Sequence, residues 1–105
     1  MNIISKALSL ILLCLFTLSS NAANKKIIFL AGGRSHGAGL HEYRAGSLLL
    51  ADALNKSKLG ISATVISNWP KDIKAFDGVD AVVVFASKGG QFSETQLALL
   101  DKKIK

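Results

Sequence analysis

Three short apolar segments alternate with helix-forming segments along this chain, and the alternation is the feature that most constrains its fold. Residues 26–31, 61–67 and 80–86 are rich in β-branched and other apolar side chains, which is typical of strands. Residues 40–56 predict a helix, and the Ser-Glu-Thr-Gln sequence at 93–96 is a capping box that predicts the start of another. Strands that alternate with helices predict an α/β fold with a parallel sheet, helices on both faces and right-handed crossovers.

The predicted helices each have one apolar side that would face the sheet. In the first helix this side is supplied by Leu48, Leu49, Ala51, Ala53 and Leu54, and in the last by Leu97, Leu100 and Ile104. Pro70 suits the first position of a short helix over residues 71–75, with Trp69 and Phe76 covering the sheet.

The first 22 residues have the composition of a signal peptide. A short segment ending at Lys6 precedes the apolar run ALSLILLCLFTLSS, whose 14 residues are too few for a comfortable membrane span. Small residues before and at Ala22 predict cleavage after it, which leaves residues 23–105 as one domain. The mature protein is then expected to be periplasmic or extracellular without stable membrane insertion, and an uncleaved anchor is the alternative.

Cysteine content and charge exclude several classes of protein. Cys14, the only cysteine, lies in the predicted leader, so residues 23–105 can form neither a disulfide nor a thiolate metal site. The chain is basic, with a formal net charge of +6, but its lysines are scattered and no aromatic residues alternate with them. Nucleic-acid binding requires a clustered basic surface, and we therefore do not expect it.

The chemically richest stretch is the glycine-rich segment at residues 30–46, between the first strand and the first helix. It holds both histidines and five of the nine glycines of the chain. A P-loop is not predicted, because Ala38 and Gly39 stand where its lysine and its Ser/Thr should be. The dinucleotide pattern G-x-G-x-x-G is also missing, and no cofactor is predicted.

His36, His41 and Glu42 are the predicted catalytic residues. Histidine can act as general acid or base near neutral pH, and a carboxylate beside it can orient its ring. The second histidine of H-E-x-x-H is missing, and we predict no metal site. The structural alternative is that His41 and Glu42 form the first helical turn, while His36 only hydrogen-bonds within its loop.

The topology predicts where a ligand would bind. Ligands of such sheets bind beyond the carboxyl ends of the strands, and a strand order of 2-1-3 would place the crevice between the first and third strands. The loops at residues 32–40 and 87–91 would then converge. Eight residues are the predicted ligand-binding set: Gly32, Gly33, Arg34, Ser35, Arg44, Ser87, Gly89 and Gly90.

Three stretches of the chain resemble the ThuA-like (trehalose utilisation) family. They are KIIFLAGGRSHGAGLHEYRAG at residues 26–46, SNWP at 67–70 and FDGVDAVVV at 76–84. The resemblance implies a flavodoxin-like sheet of the class I glutamine amidotransferase-like type. Such domains are usually longer than this chain, which implies that residues 23–105 are the N-terminal part of one. The family often has an acidic residue before the glycines of the loop after its third strand, where this chain has Ser87-Lys88-Gly89-Gly90.

The resemblance also implies a role in carbohydrate metabolism, often in exported bacterial proteins. It does not imply glutamine amidotransferase activity, whose nucleophile would lie beyond Lys105. The expected function is therefore action on a sugar, such as trehalose, or an oxidised sugar derivative, with a small carbohydrate as partner. A non-catalytic sugar- or partner-binding domain and an inactive fragment are the alternatives, and the sequence does not predict the oligomeric state.

Overall fold

The computed structural model describes residues 24–87 and 92–104, and these form a small α/β domain with a three-stranded parallel sheet and two helices. The predicted leader, Gly89 and Gly90 lie outside the described residues. The strands are β1 (Lys25–Ala31), β2 (Ile61–Ser67) and β3 (Ala81–Phe85), the helices α1 (Tyr43–Lys56) and α2 (Glu94–Lys103). A short 3-10 helix spans Ile73–Phe76.

The sheet has the order β2-β1-β3, which is the 2-1-3 arrangement on which the predicted position of the crevice depended. The central strand β1 pairs in parallel with both neighbours, so that Phe29 lies opposite Val65 on one side and Val83 on the other. The last four residues of β1 are at most 4% exposed. A continuous apolar run is what a strand buried on both faces requires.

Each face of the sheet packs against one of the helices. Ile28 and Leu30 point to the face covered by Phe76 and by Leu100 of α2. Phe29 points the other way and packs with Ala51 of α1. Because successive strand residues alternate between faces, β1 contributes to both apolar clusters and fixes the two helices relative to the sheet.

Helix α1 begins at Tyr43, three residues later than predicted. Gly39 and His41 have positive φ angles of 82° and 50°, which a right-handed helix cannot include. His41 and Glu42 therefore do not form its first turn. The side facing the sheet agrees with the prediction in part: Ala51 is buried and Leu54 packs against its cluster, as predicted. Tyr43 and Ser47 are also buried, whereas the predicted Leu48 and Leu49 are 43% and 72% exposed.

The later elements agree with prediction in position and differ in detail. The short helix predicted over residues 71–75 is a 3-10 turn that starts after Asp72, whose carboxylate accepts a hydrogen bond from Lys74 N–H. Helix α2 has the predicted capping box between Ser93 and Gln96. Leu100 is buried against the sheet as predicted, whereas Leu97 is 43% exposed. Within residues 24–87 and 92–104, no helix combines the length and apolarity needed to cross a membrane.

Candidate functional site

A pocket of about 270 Å³ opens at the carboxyl ends of β1 and β2, beside the first turn of α1. The residues that line it are Gly32, Gly33, Arg34, His41, Glu42, Tyr43, Arg44, Ser67 and Asn68. The carboxyl ends of parallel strands are where α/β folds place their ligands. The site therefore lies on the predicted edge of the sheet.

The pocket lies on the β2 side of β1 and not, as predicted, between β1 and β3. The ring of Tyr43 packs edge to face on Phe85 at the end of β3, with 5.1 Å between ring centroids. Gly46 of α1 also approaches Phe85 so closely that a Cβ atom there would lie 3.1 Å from its ring. These contacts bring Phe85 against α1, whereas the pocket is lined by residues at the ends of β1 and β2.

Backbone hydrogen bonds hold the loops around the pocket to the sheet. Gly32 N–H donates to the carbonyl of Phe85, at 2.8 Å, and Asn68 N–H donates to the carbonyl of Ala31, at 2.7 Å. A side chain at Gly33 would meet the amide oxygen of Asn68, because a Cβ atom there would lie 3.1 Å from it. Glycine at this position thus lets the loops after β1 and β2 approach each other.

Two residues that line the pocket have an uncommon backbone conformation. His41 has a φ of 50° and Asn68 a φ of 62°, and they are two of the three non-glycine residues with positive φ in residues 24–87 and 92–104. This left-handed region costs most L-residues about 1–2 kcal/mol, and less for Asn and His. Such conformations concentrate at functional sites, where the surrounding fold holds them.

The two histidines are joined by a chain of hydrogen bonds, which we call the histidine chain. Nδ1 of His36 lies 2.8 Å from the hydroxyl oxygen of Ser35, which lies 3.1 Å from the phenol oxygen of Tyr43. That oxygen is 3.3 Å from Nδ1 of His41. The rings of His36 and His41 also lie edge to face, with 4.1 Å between centroids. His41 and Tyr43 line the pocket, whereas His36 and Ser35 lie behind them: His36 contacts the ring of His41, and Ser35 contacts the hydroxyl of Tyr43.

The carboxylate of Glu42, the predicted orienting group, contacts other partners than the histidine rings in this structure. It accepts a hydrogen bond from Gly39 N–H at 2.9 Å and lies 3.9 Å from the guanidinium of Arg34. Among the described residues, it makes no hydrogen bond to either histidine. The histidines are oriented instead by the hydroxyl groups of Ser35 and Tyr43, and Glu42 stabilises the turn before α1.

The structure brings together most, but not all, of the predicted ligand-binding residues. Gly32, Gly33, Arg34 and Arg44 line the pocket. Ser35 lies behind it in the histidine chain. Ser87 is half-buried and is not part of the lining, and Gly89 and Gly90 lie outside the described residues.

Sequence reasoning missed three residues that belong to the site, namely Tyr43, Ser67 and Asn68. Tyr43 is only 6% exposed and joins the two histidines. Ser67 ends β2, the strand that the predicted crevice left out, and Asn68 directly follows it. An asparagine directly after a strand is a signal for a left-handed turn, and this could have identified Asn68.

Metal binding and known relatives give no further assignment for this site. Within residues 24–87 and 92–104, no three His, Cys, Asp or Glu side chains are grouped so that they could hold a metal ion. Comparisons of the chain with family profiles, curated proteins and solved structures return no match.

Proposed function

We propose that this chain is a ThuA-like domain of carbohydrate metabolism that acts on a sugar or an oxidised sugar derivative in the pocket at β1 and β2. The observation that carries the proposal is the histidine chain, which ends at His41 in the pocket lining. The motif Ser-His-Gly-Ala-Gly-Leu-His-Glu-Tyr-Arg at residues 35–44 supports it, because all four members of the chain come from this motif.

The proposed fold is flavodoxin-like, of the class I glutamine amidotransferase-like type. The order β2-β1-β3 is the beginning of the 2-1-3-4-5 order of flavodoxin-like sheets. Helices on both faces of an all-parallel sheet are also expected of that architecture.

In this proposal, His41 exchanges a proton with the ligand. Its Nδ1 faces Tyr43, which leaves Nε2 for a hydroxyl group or an acidic C–H of a sugar. A proton taken up at Nε2 can be balanced by release of the Nδ1 proton to the oxygen of Tyr43. The phenol proton then passes to Ser35, and the hydroxyl proton of Ser35 passes to Nδ1 of His36. Every bond that breaks in this sequence is replaced by one that forms.

A sugar-binding domain without catalysis is the second candidate, and one observation favours it. Both histidines are exposed, so water reaches the groups that would transfer protons. Enzymes that stabilise charge strongly usually exclude water from the reacting centre. Binding through hydroxyl groups does not require such exclusion.

One experiment separates these candidates. The full chain is incubated with trehalose, glucose or the oxidised sugar gluconate, its melting temperature is measured, and product is followed by NMR. The enzyme proposal expects a higher melting temperature together with product, and His41→Asn should abolish product formation. Asparagine is chosen because it tolerates the left-handed backbone at this position. A sugar-dependent melting shift without product would support the binding domain, and no response to any sugar would contradict both.

Export is part of the proposal. The apolar run before Ala22 supports a cleaved signal peptide and a periplasmic or extracellular location. Mass spectrometry of the protein recovered from the producing cell tests this, because cleavage would leave Ala23 as the first residue. A chain that keeps its first 22 residues would contradict it.

A further inference from the structure

The charged groups around the pocket do not balance. Arg34, Arg44 and Glu42 line it, which leaves one formal positive charge in excess. The carboxylate of Glu42 lies near the guanidinium of Arg34 and accepts a hydrogen bond from Gly39 N–H. Arg44 has no ion pair or hydrogen bond to any residue of the part that the structure describes. Arg44 is exposed to solvent at the edge of the pocket, and the five N–H donors of its guanidinium have no acceptor among the described residues, so they are available to a ligand.

The position of Arg44 on its helix adds to the positive potential at the pocket. Arg44 is the second residue of α1, and the first turn of this helix contains no acidic residue. The N-terminal end of a helix carries a partial positive charge, which stabilises anions and disfavours cations. Glu42 precedes the helix, but its carboxylate is directed towards Gly39 and Arg34. An anion beside Arg44 would therefore interact favourably with both the guanidinium and the helix end.

The other polar residues that line the pocket can form hydrogen bonds with the hydroxyl groups of a ligand. Ser67 contributes a hydroxyl, Asn68 an amide that can both donate and accept, and His41 a ring nitrogen. The volume of about 270 Å³ lies just below the usual range for small-molecule sites, about 300–1,000 Å³. The pocket can accommodate a ligand about the size of one sugar unit, and the second ring of a disaccharide would extend beyond it.

We propose that the ligand of this pocket is a monosaccharide acid, an aldonate or a uronate, whose carboxylate binds the guanidinium of Arg44. This inference rests on the proposed carbohydrate function and specifies its substrate class. Arginine is suited to the role because its planar fork can form two parallel hydrogen bonds with a carboxylate. The hydroxyl groups of the sugar then face Asn68, Ser67 and His41.

The test compares acidic and neutral sugars on the full chain at constant ionic strength. Gluconate, glucuronate, glucose and acetate are titrated by calorimetry into the wild type and into Arg44→Gln. We expect the two sugar acids to bind at least ten times more tightly than glucose or acetate. Arg44→Gln should lower their affinity at least tenfold and leave that of glucose unchanged. Lys102→Gln, which removes the same charge from α2 away from the pocket, is the matched control and should change neither affinity.

The possible outcomes separate this inference from the proposed function. If glucose binds as tightly as gluconate, or if Arg44→Gln keeps the affinity for gluconate, the inference is wrong and the carbohydrate function stands. If acetate binds as tightly as gluconate, the pocket recognises an anion alone and the inference is also wrong. If no sugar binds, the proposed function fails as well. Should Arg44→Gln not fold, Arg44→Lys keeps the charge without the fork and should still bind gluconate more weakly than the wild type.

Discussion

The phenol oxygen of Tyr43 lies 3.3 Å from Nδ1 of His41 and connects that ring to the rest of the histidine chain. The chain has three links between heavy atoms but only two hydroxyl protons, those of Ser35 and Tyr43. When both rings are neutral, the third proton must come from Nδ1 of one histidine. We therefore expect one histidine to carry its proton on Nδ1 and the other on Nε2, which ¹⁵N NMR of the ring nitrogens can measure.

Tyr43→Phe should remove the hydrogen bonds that link the two histidine rings and should preserve the fold. The substitution keeps the ring that packs on Phe85 and removes only the hydroxyl. One hydroxyl lost from a largely buried position costs about 1 kcal/mol of unfolding free energy. The ring-nitrogen shifts of His41 should change in the variant, as should those of His36.

The control for this prediction is Ser57→Ala, which removes a hydroxyl at the end of α1, away from both rings. It should leave the ring-nitrogen shifts of both histidines unaltered. If Tyr43→Phe also leaves them unaltered, the hydrogen bonds of the histidine chain do not persist in solution and the proposed proton path is wrong.

Gly33 and Gly37 should respond differently to alanine. A Cβ atom at Gly33 would lie 3.1 Å from the amide oxygen of Asn68, whereas at Gly37 it would meet nothing within 4 Å. Neither glycine has a positive φ. Gly37→Ala should therefore raise the free energy of unfolding by about 0.4–1 kcal/mol, because alanine restricts the unfolded chain. Gly33→Ala should not raise the free energy of unfolding, because its Cβ atom would have to displace the side chain of Asn68.

Chemical denaturation of the two variants measures this difference, and gluconate titration measures its consequence for the pocket. Displacement of Asn68 should weaken gluconate binding in Gly33→Ala and leave it intact in Gly37→Ala. Equal stabilities and equal affinities of the two variants would contradict the close approach of Gly33 and Asn68.

The strands could be predicted because the sequence pattern that produces them is local, and the helices between the strands imply parallel pairing. The apolar runs of β1 and β3 both indicated strands, but only β1 is buried: Val83, Val84 and Phe85 of β3 are 41–44% exposed, because burial depends on which elements cover a strand. The start of α1 could not be predicted from periodicity. It depends on the positive φ of His41, which the neighbouring hydrogen bonds and ring contacts hold in place.

The site was predicted in part for the same reason. His41 and Arg44 could be identified from the sequence because they have ionisable side chains and lie close together in one short segment. Asn68 reaches the pocket because β2 lies beside β1 in the sheet. Whether the pocket lies between β1 and β2 or between β1 and β3 depends on side-chain packing, and Phe85 of β3 packs against Tyr43 of α1. Side-chain packing of this kind leaves no periodic signal in a single sequence.

Ser47→Ala should stabilise the protein. Ser47 is fully buried in α1, and its hydroxyl has no hydrogen-bond partner in the part of the chain that the structure describes. Alanine removes the cost of that unpaired group and has a higher helix propensity, together about 1–2 kcal/mol. The melting temperature should rise by several degrees, since about 1 kcal/mol corresponds to roughly 4–8 °C in a domain of this size.

Ser57→Ala is the matched control for this prediction. The hydroxyl of Ser57 donates to the carbonyl of Leu54 at 2.6 Å and caps the end of the same helix. Its removal should lower the melting temperature. A fall for Ser47→Ala as well would mean that the hydroxyl of Ser47 makes a hydrogen bond in solution, for example to an ordered water molecule.

Asp80 should make the stability of the sheet sensitive to acid. The hydrogen bond from Lys26 N–H holds the pKa of the Asp80 carboxyl below its ordinary value, with a smaller contribution from the side chain of Lys25. A carboxyl whose pKa is lower in the folded state stabilises the protein above its unfolded pKa, and this contribution disappears as the pH falls through the folded pKa. The stability difference between the wild type and Asp80→Asn should therefore be largest at neutral pH and shrink in acid, as measured by urea denaturation across that range.

The control for this prediction is Lys25→Gln. It should keep most of the pH dependence of stability, because it preserves the hydrogen bond from Lys26 N–H to Asp80. A pH-independent difference for Asp80→Asn would show that the carboxylate does not accept this hydrogen bond in solution.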